Sequence, residues 1–298
     1  MTEGAPAAPA RRLRDGACLP IATVLLAVLA IWYAAALVLN APAARAVLPK
    51  QAGIAAFAGA AWSQTRPLLP APQQIAGTLA QDLFGWPLNA PRNLFFQASA
   101  TVAEAALGLA FALALGILLA VAIVHLRAFD RSLMPWVIAS QTVPVLAIAP
   151  MVVVVLGNLG LSGLLPKAAI AGYLAFFPIT VGMVKGLRAP DPLQLDLMRT
   201  YSASRRQVFA KLRWPASLSF LFPNLRIAVA LAVVGAIVAE LPTGAQAGLG
   251  ARLLAGSYYG QTLQLWATLV MASLVSLAGL GAVGLIERGM RTLRGGRL

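Results

Sequence analysis

Residues 189–215 read A-P-D-P-L-Q-L-D-L-M-R-T-Y-S-A-S-R-R-Q-V-F-A-K-L-R-W-P. This is the longest charged interval in a chain that is otherwise largely apolar. It holds two acids, Asp191 and Asp196, and five bases, Arg199, Arg205, Arg206, Lys211 and Arg213. Its apolar residues keep helical spacing in two short runs. Leu193, Leu197, Met198 and Tyr201 form one face, Val208, Phe209 and Leu212 another, and Ser202-Ala203-Ser204 separates them. A polar helix-turn-helix hung between hydrophobic spans needs a partner to cover those faces, and it reads as a docking element.

The rest of the chain says what that element is hung from. Of 298 residues, 60% are hydrophobic and 11% charged, against about 25% charged in a soluble domain. The mean hydropathy is +0.81. These values describe an all-α integral membrane protein. The net charge of +14 comes from bases in the gaps between apolar runs. They build no basic face with interleaved aromatics, which excludes nucleic acid as a partner. Cys18 is the only cysteine and His125 the only histidine. No disulfide framework, metal site or Cys–His chemistry is expected, no cofactor is implied, and the chain does not read as an enzyme.

Six transmembrane helices are expected. Residues 1–17 read as a tail carrying Arg11, Arg12 and Arg14, and 18–40 as the first span. That run is longer than the roughly 7–15 residues of a signal core, so a retained signal-anchor helix is expected. Residues 41–94, broken repeatedly by prolines from Pro49 to Pro91, read as an external segment with short helices at 54–62 and 75–83. The second span is 98–124, followed by a polar loop with Arg127, Asp130 and Arg131. The third is 133–156, interrupted by Pro144 and Pro150, and a glycine-rich turn follows it. The fourth, 168–184, carries Pro178. The fifth is 219–241, then a Gly-rich loop at 242–261, the sixth at 263–286, and a basic tail at 291–298. With the N-terminus inside, sixteen bases fall in inner segments and six in the much longer outer ones, while Arg226 lies within the fifth span. The positive-inside rule then places both termini and residues 189–215 in the cytoplasm.

With that side assigned, the docking stretch resembles the EAA loop of binding-protein-dependent ABC importer permeases. Asp196 stands at the acidic position, Leu197 and Met198 at the two alanines, Ser202 at the glycine, and Pro215 at the closing proline. Three departures bear on geometry. Leu197 and Met198 are larger than alanine, Asp196 is one methylene shorter than Glu, and Ser202 replaces the residue best able to take a left-handed turn. The flanks are similar to the nitrate/sulfonate/taurine branch: Gln141-Thr142-Val143-Pro144, Phe176-Phe177-Pro178, Leu187-Arg188-Ala189-Pro190, and Leu225-Arg226-Ile227-Ala228 running to Glu240. So is Leu69-Pro70-Ala71-Pro72, ahead of the core. Residues 41–67 lie outside the resemblance and have no assigned role.

The resemblance implies a type I ABC importer permease core over residues 95–290 in a bacterial inner membrane. It implies the channel-forming subunit of an ATP-driven importer, with coupling helices at 189–215. Asp196, Leu197, Met198, Ser202, Ala203, Arg205 and Pro215 would meet the ATP-binding subunits, two per assembly. A periplasmic solute-binding protein delivers the solute, and a second permease copy, most simply an identical one, completes the pathway. The chain contains no Gly-x-x-x-x-Gly-Lys-Ser/Thr loop, so ATP hydrolysis is assigned to a separate subunit. The solute class divides between a nitrate-, sulfonate- or taurine-like anion and a pyrimidine-like heterocycle. A secondary transporter is the alternative from another class. It calls for inverted repeats, and no internal repeat is visible.

Ionisable and polar residues within spans are the pathway candidates, because burying them costs about 2.5–3.5 kcal/mol each at mid-helix. Gln141 and Thr142, one turn from Pro144, suit a pore lining. Pro144, Pro150 and Pro178 are candidate hinges. Arg226 either snorkels to head groups, lines the inner vestibule, or pairs with an acid. Glu240 is expected at the outer gate, and Glu104 close enough to the outer interface to be wet. Ser257-Tyr258-Tyr259 reads as an interface anchor, and His125 as structural.

Overall fold

The computed structural model describes residues 18–49, 53–242 and 247–293. The tail expected at 1–17, residues 294–298 of the C-terminal tail and residues 243–246 of the Gly-rich loop therefore lie outside the described residues. Every element among the described residues is helical. In chain order they are α1 (Cys18–Val47), α2 (Ile54–Trp62), α3 (Pro72–Phe84), α4 (Leu94–His125), α5 (Arg127–Ala139), a short 3-10 turn (Ser140–Thr142) and α6 (Val145–Asn158). Then come α7 (Leu164–Arg188), α8 (Pro192–Thr200), α9 (Arg205–Val208), a π turn (Phe209–Arg213), α10 (Trp214–Glu240), α11 (Leu249–Tyr258) and α12 (Thr262–Leu293).

Helix α7 is the centre of the bundle, packed between α4 and α10. Small residues make this possible. A Cβ built on Gly108 would sit 2.6 Å from the Ala168 carbonyl oxygen, and one on Gly172 would sit 2.9 Å from the Gly108 carbonyl oxygen. In lipid no hydrophobic force separates helix from tail, so close backbone approach through glycine and alanine supplies the packing. The matched pairs run 108 with 168–172 and 116 with 179–180, so α4 and α7 are parallel. Gly186 with Ser217 and Gly235 with Ala171 make α7 and α10 antiparallel.

Parallel α4 and α7 decide the topology. The chain leaving α4 must cross back before α7 begins, so α5 and α6 together form a crossing, although they meet at a bend of 105°. With the long apolar helices α1, α4, α7, α10 and α12 this makes six crossings, and residues 18 and 293 lie at the same end.

The third span is thus a broken pair rather than a straight helix. Pro144 has no N–H to donate and holds Val143 extended, at φ −79° and ψ 122°. Pro150 and Pro178 interrupt nothing and lie inside α6 and α7. The polar loop expected at 127–131 is the first turn of α5, with Asp130 near its N-terminus, where a carboxylate is favoured, and 2.8 Å from Arg188. The Gly-rich loop expected at 242–261 contains α11.

Residues 41–67 acquire a structural role. Helix α1 continues through Pro42 to Val47, beyond the expected span, and α2 folds back beside it. The buried Asn40 amide donates to the carbonyls of Ala61 (3.2 Å) and Leu69 (2.8 Å) and accepts from Leu68 N–H (2.8 Å). Trp62 donates to the Tyr33 carbonyl at 3.2 Å. Trp32 donates to Pro70 and stacks on Trp266 of α12 with ring centroids 5.1 Å apart. These contacts hook one end of α1 to the bundle, while most of its side chains remain exposed to the surroundings.

Gly108→Ala is expected to destabilise the α4–α7 seam by about 1–3 kcal/mol through overpacking, read as a lowered thermal midpoint of the detergent-solubilised chain. Gly281→Ala has open space at its Cβ position, and it should hold or raise the midpoint.

Candidate functional site

The helix pair at 189–215, read from the sequence as a docking element, is built by local capping. Asp191 accepts the Leu193 N–H at 2.8 Å, and Pro192, which has no N–H to leave unsatisfied, opens α8. At the other end Ser202 N–H donates to the Arg199 carbonyl (2.8 Å) and Ala203 N–H to the Met198 carbonyl (3.0 Å), the paired bonds of a Schellman stop. That stop needs a left-handed residue, and Ser202 takes φ 52°, alone in this among the described non-glycine residues. Serine therefore performs the turn that glycine would adopt without strain. Ser204 opens the next helix with a capping box. Its hydroxyl accepts the Gln207 N–H, and its own N–H donates to the Gln207 side chain at 2.7 Å.

The second helix does not end at the membrane. From Arg205 it runs through the π turn into α10, so residues 205–240 form one continuous helix. Pro215 sits in the first turn of α10, inside this helix rather than at the end of the element. The π turn just before it accommodates the missing N–H. Arg213 ties the junction to the end of α7 by donating to the Leu187 carbonyl at 3.2 Å.

The outer face of α8 is bare. Leu193 is 77% exposed, Leu197 57% and Tyr201 76%, while Met198 and Ala203 are half-buried. Asp196 pairs with Arg199 at 2.8 Å, but both are exposed, and such a pair contributes only about 0.2–0.5 kcal/mol to a helix. The chain leaves the apolar face uncovered, and it meets the Asp196 carboxylate with Arg199 of the same helix.

The expected pathway residues lie at three separate places on two segments, the α5–α6 break and α10. Gln141, Thr142 and Pro144 are exposed at the break between α5 and α6, where Thr142 donates to the Ala139 carbonyl and Tyr173 from α7 donates to the Ser140 carbonyl. Arg226 resolves in favour of an acid partner. It pairs at 2.5 Å with Glu287 of α12, which also holds Arg291.

Glu240 is fully buried at the far end of α10. It accepts from the Thr101 hydroxyl at 2.6 Å and from the Gly250 N–H. Thr101 in turn accepts the Leu249 N–H at 2.9 Å, and Gln97 accepts the Gly248 N–H at 2.6 Å. Three side chains thus meet the unpaired N–H groups that open α11. The glycines have a reason here. Gly248 has φ 132°, and a Cβ on Gly250 would strike the Ile237 carbonyl oxygen. Glu104 faces Glu240 and pairs with Lys167 of α7 at 2.6 Å. At 3% exposure Glu104 is buried, not wet as its place near the span's end suggested. The buried pair Asp82–Arg252 holds α3 to α11 beside this clamp.

Glu287, Lys167, Thr101 and Gln97 escaped the sequence reading. Glu287 carried a usable signal, an acid at the end of the last apolar run. The other three are ordinary polar residues near span ends, and only packing gives them partners.

The chain matches the family described as binding-protein-dependent transport system inner membrane component over residues 112–292. It is 35% identical over 223 residues to the formylaminopyrimidine transport permease protein of Halalkalibacterium halodurans, covering 74% of this chain and 83% of that one. It is 30% identical over 164 residues to the riboflavin transport system permease protein of Chloroflexus aurantiacus, covering 55% and 59%. It is 26% identical over 200 residues to the nitrate import permease protein of Leptolyngbya laminosa, covering 65% and 68%.

Two substitutions test this geometry. Ser202→Gly is expected to raise the thermal midpoint by relieving roughly 1 kcal/mol of left-handed strain, whereas Ser202→Val lowers it. Lys167→Met should cost about 3–5 kcal/mol, since it leaves Glu104 buried without its cation. Adding Glu104→Leu should restore most of that loss in the same melting measurement.

Proposed function

The chain belongs to the family of binding-protein-dependent transport system inner membrane components, and from that premise we propose how it works as the permease subunit of an ATP-driven importer. Residues 189–215 dock into two cytoplasmic ATP-binding subunits, which supply the hydrolysis. The end of the bundle that carries α8 faces the cytoplasm, and both termini lie on that side. The basic residues of the inner segments support this orientation. A periplasmic solute-binding protein delivers solute at the opposite end, where the Glu240 clamp lies.

One observation carries the reading. An exposed, rigidly capped helix pair is continuous, through residues 205–240, with a membrane-crossing helix whose far end is the clamp. Closure of the ATPase subunits moves α8 and α9 as a unit. The lever of α10 carries that movement to Glu240, and the broken α5–α6 pair absorbs the change in shape at Pro144. Access alternates between the two sides as a result. Covering Leu193 and Leu197 on docking contributes about 1.5–3 kcal/mol each. Asp196 supplies the charge that sets register, with Met198, Ser202, Ala203, Arg205 and Pro215 holding the element's shape.

A second, identical chain completes the pathway. Gln141 and Thr142 are exposed at a break deep in the third crossing, and irregular backbone at membrane depth is tolerated only against protein or a water-filled cavity. Facing copies would enclose such a cavity. For the solute, the sequence motifs favour a nitrate-, sulfonate- or taurine-like anion, and the similarity to the nitrate permease supports that. The 35% identity to the formylaminopyrimidine permease supports a pyrimidine-like heterocycle as the second reading.

Asp196→Arg tests the docking role. The variant is expected to insert into the membrane at normal levels but to lose co-purification with the ATP-binding subunit and solute uptake. Unchanged co-purification and uptake would overturn the assignment.

A further inference from the structure

Behind the docking element lies a cavity of about 480 Å3, lined in part by Ala203 and Arg205 of that element. Successive residues of a helix turn by about 100°, so Leu195 and Arg199 stand nearly opposite Leu197 on α8. Both line the cavity at the end of α4, Leu195 half-buried and Arg199 with its side chain also open to solvent. Arg199, Arg205, Arg213 and His125 line the space together, and no carboxylate does. Asp196 meets Arg199 from the exposed side, and Arg213 gives one N–H to the Leu187 carbonyl. Arg205 has no carboxylate partner among the described residues. His125 donates its Nδ1–H to the Val121 carbonyl at 2.9 Å and lies edge-on to Phe209.

Three guanidinium groups gathered in one cavity repel one another, and an anion received among them removes that cost. Arginine forks match phosphate oxygens in pairs. The remaining wall is apolar, formed by Val124, Leu195 and Val208. Helix α4 ends at His125, so the cavity opens where the apolar span meets water. Its volume suits a head group and is too small for a whole lipid.

We propose that this cavity binds the phosphate of an anionic phospholipid head group, whose acyl chains run along α4 in the bilayer. Basic pockets between crossing helices on the cytoplasmic side are suited to such head groups. The bound phosphate joins α4, α8 and the start of the 205–240 helix, and so fixes where the docking element sits against the bundle.

The test uses the purified full-length chain alone, so its outcome does not depend on docking to an ATPase. Native mass spectrometry is run with dioleoyl phosphatidylglycerol, with dioleoyl phosphatidylcholine, and with inorganic phosphate. The glycerol lipid is expected to bind saturably and at least ten-fold more tightly than the choline lipid. Arg199→Gln with Arg205→Gln should weaken it about ten-fold, and Arg131→Gln, exposed and outside the cavity, should not. Leu195→Trp fills the space without removing charge and should weaken binding as well, which covers the case where the double variant fails to fold. Saturable binding of inorganic phosphate, lost in the same variants and without preference between the lipids, would support the phosphate site with a soluble source. Equal binding of both lipids with no binding of phosphate would overturn the proposal. So would wild-type binding by Leu195→Trp together with the double arginine variant.

Discussion

A helix that begins inside a membrane protein must have its first N–H groups met, because no water is there to meet them. At the start of α11 that need is answered by Gln97, Thr101 and Glu240. Much of the architecture follows from satisfying it. Gln97 and Thr101 lie one helical turn apart on α4, and Glu240 is the last residue of α10, so α4 and α10 must present these ends at one height. Helix α7 sits between them and holds the height through its glycine contacts, with Lys167 neutralising the second carboxylate at Glu104. The start of α11 lies tight against the end of α10, which accounts for Gly248 and Gly250.

The opposite end obeys the same accounting with different means. There the helix ends face water, and capping is local: Asp191, Ser202 and Ser204 act on residues two to four positions away. Local capping makes α8 and α9 stiff without burying them. The stiffness passes to α10 because the helix is never interrupted, and Pro215 falls where a π turn already loosens the bonding. One end of this protein is therefore rigid and exposed, the other rigid and buried, and a single helix joins them.

The features that were legible in the sequence share a short reach. The capped helix pair at 189–215 showed in its spacing, the left-handed demand at position 202 showed in the missing glycine, and the apolar runs marked where the chain crosses. The broken third span was only half legible. Three prolines carried the same signal, yet Pro144 alone stands at a helix break, while Pro150 and Pro178 lie inside α6 and α7. Helix α11 was hidden because glycines precede and open it, and the side chains that meet its first N–H groups come from positions about 150 residues earlier and ten residues earlier. Arg226 was visible as a costly charge, but its partner Glu287 lies 61 residues away on another helix.

The sequence by itself determined that this is a membrane protein with an exposed two-helix element at 189–215, because apolar run length and capping residues act within a few turns of helix. Only the tertiary structure decided that α4 and α7 run parallel, that the bent pair between them must therefore cross, and that Glu240 and Glu104 are buried partners in a clamp. Those outcomes depend on which glycine meets which backbone across the bundle, a distance in space that spacing along the chain does not encode.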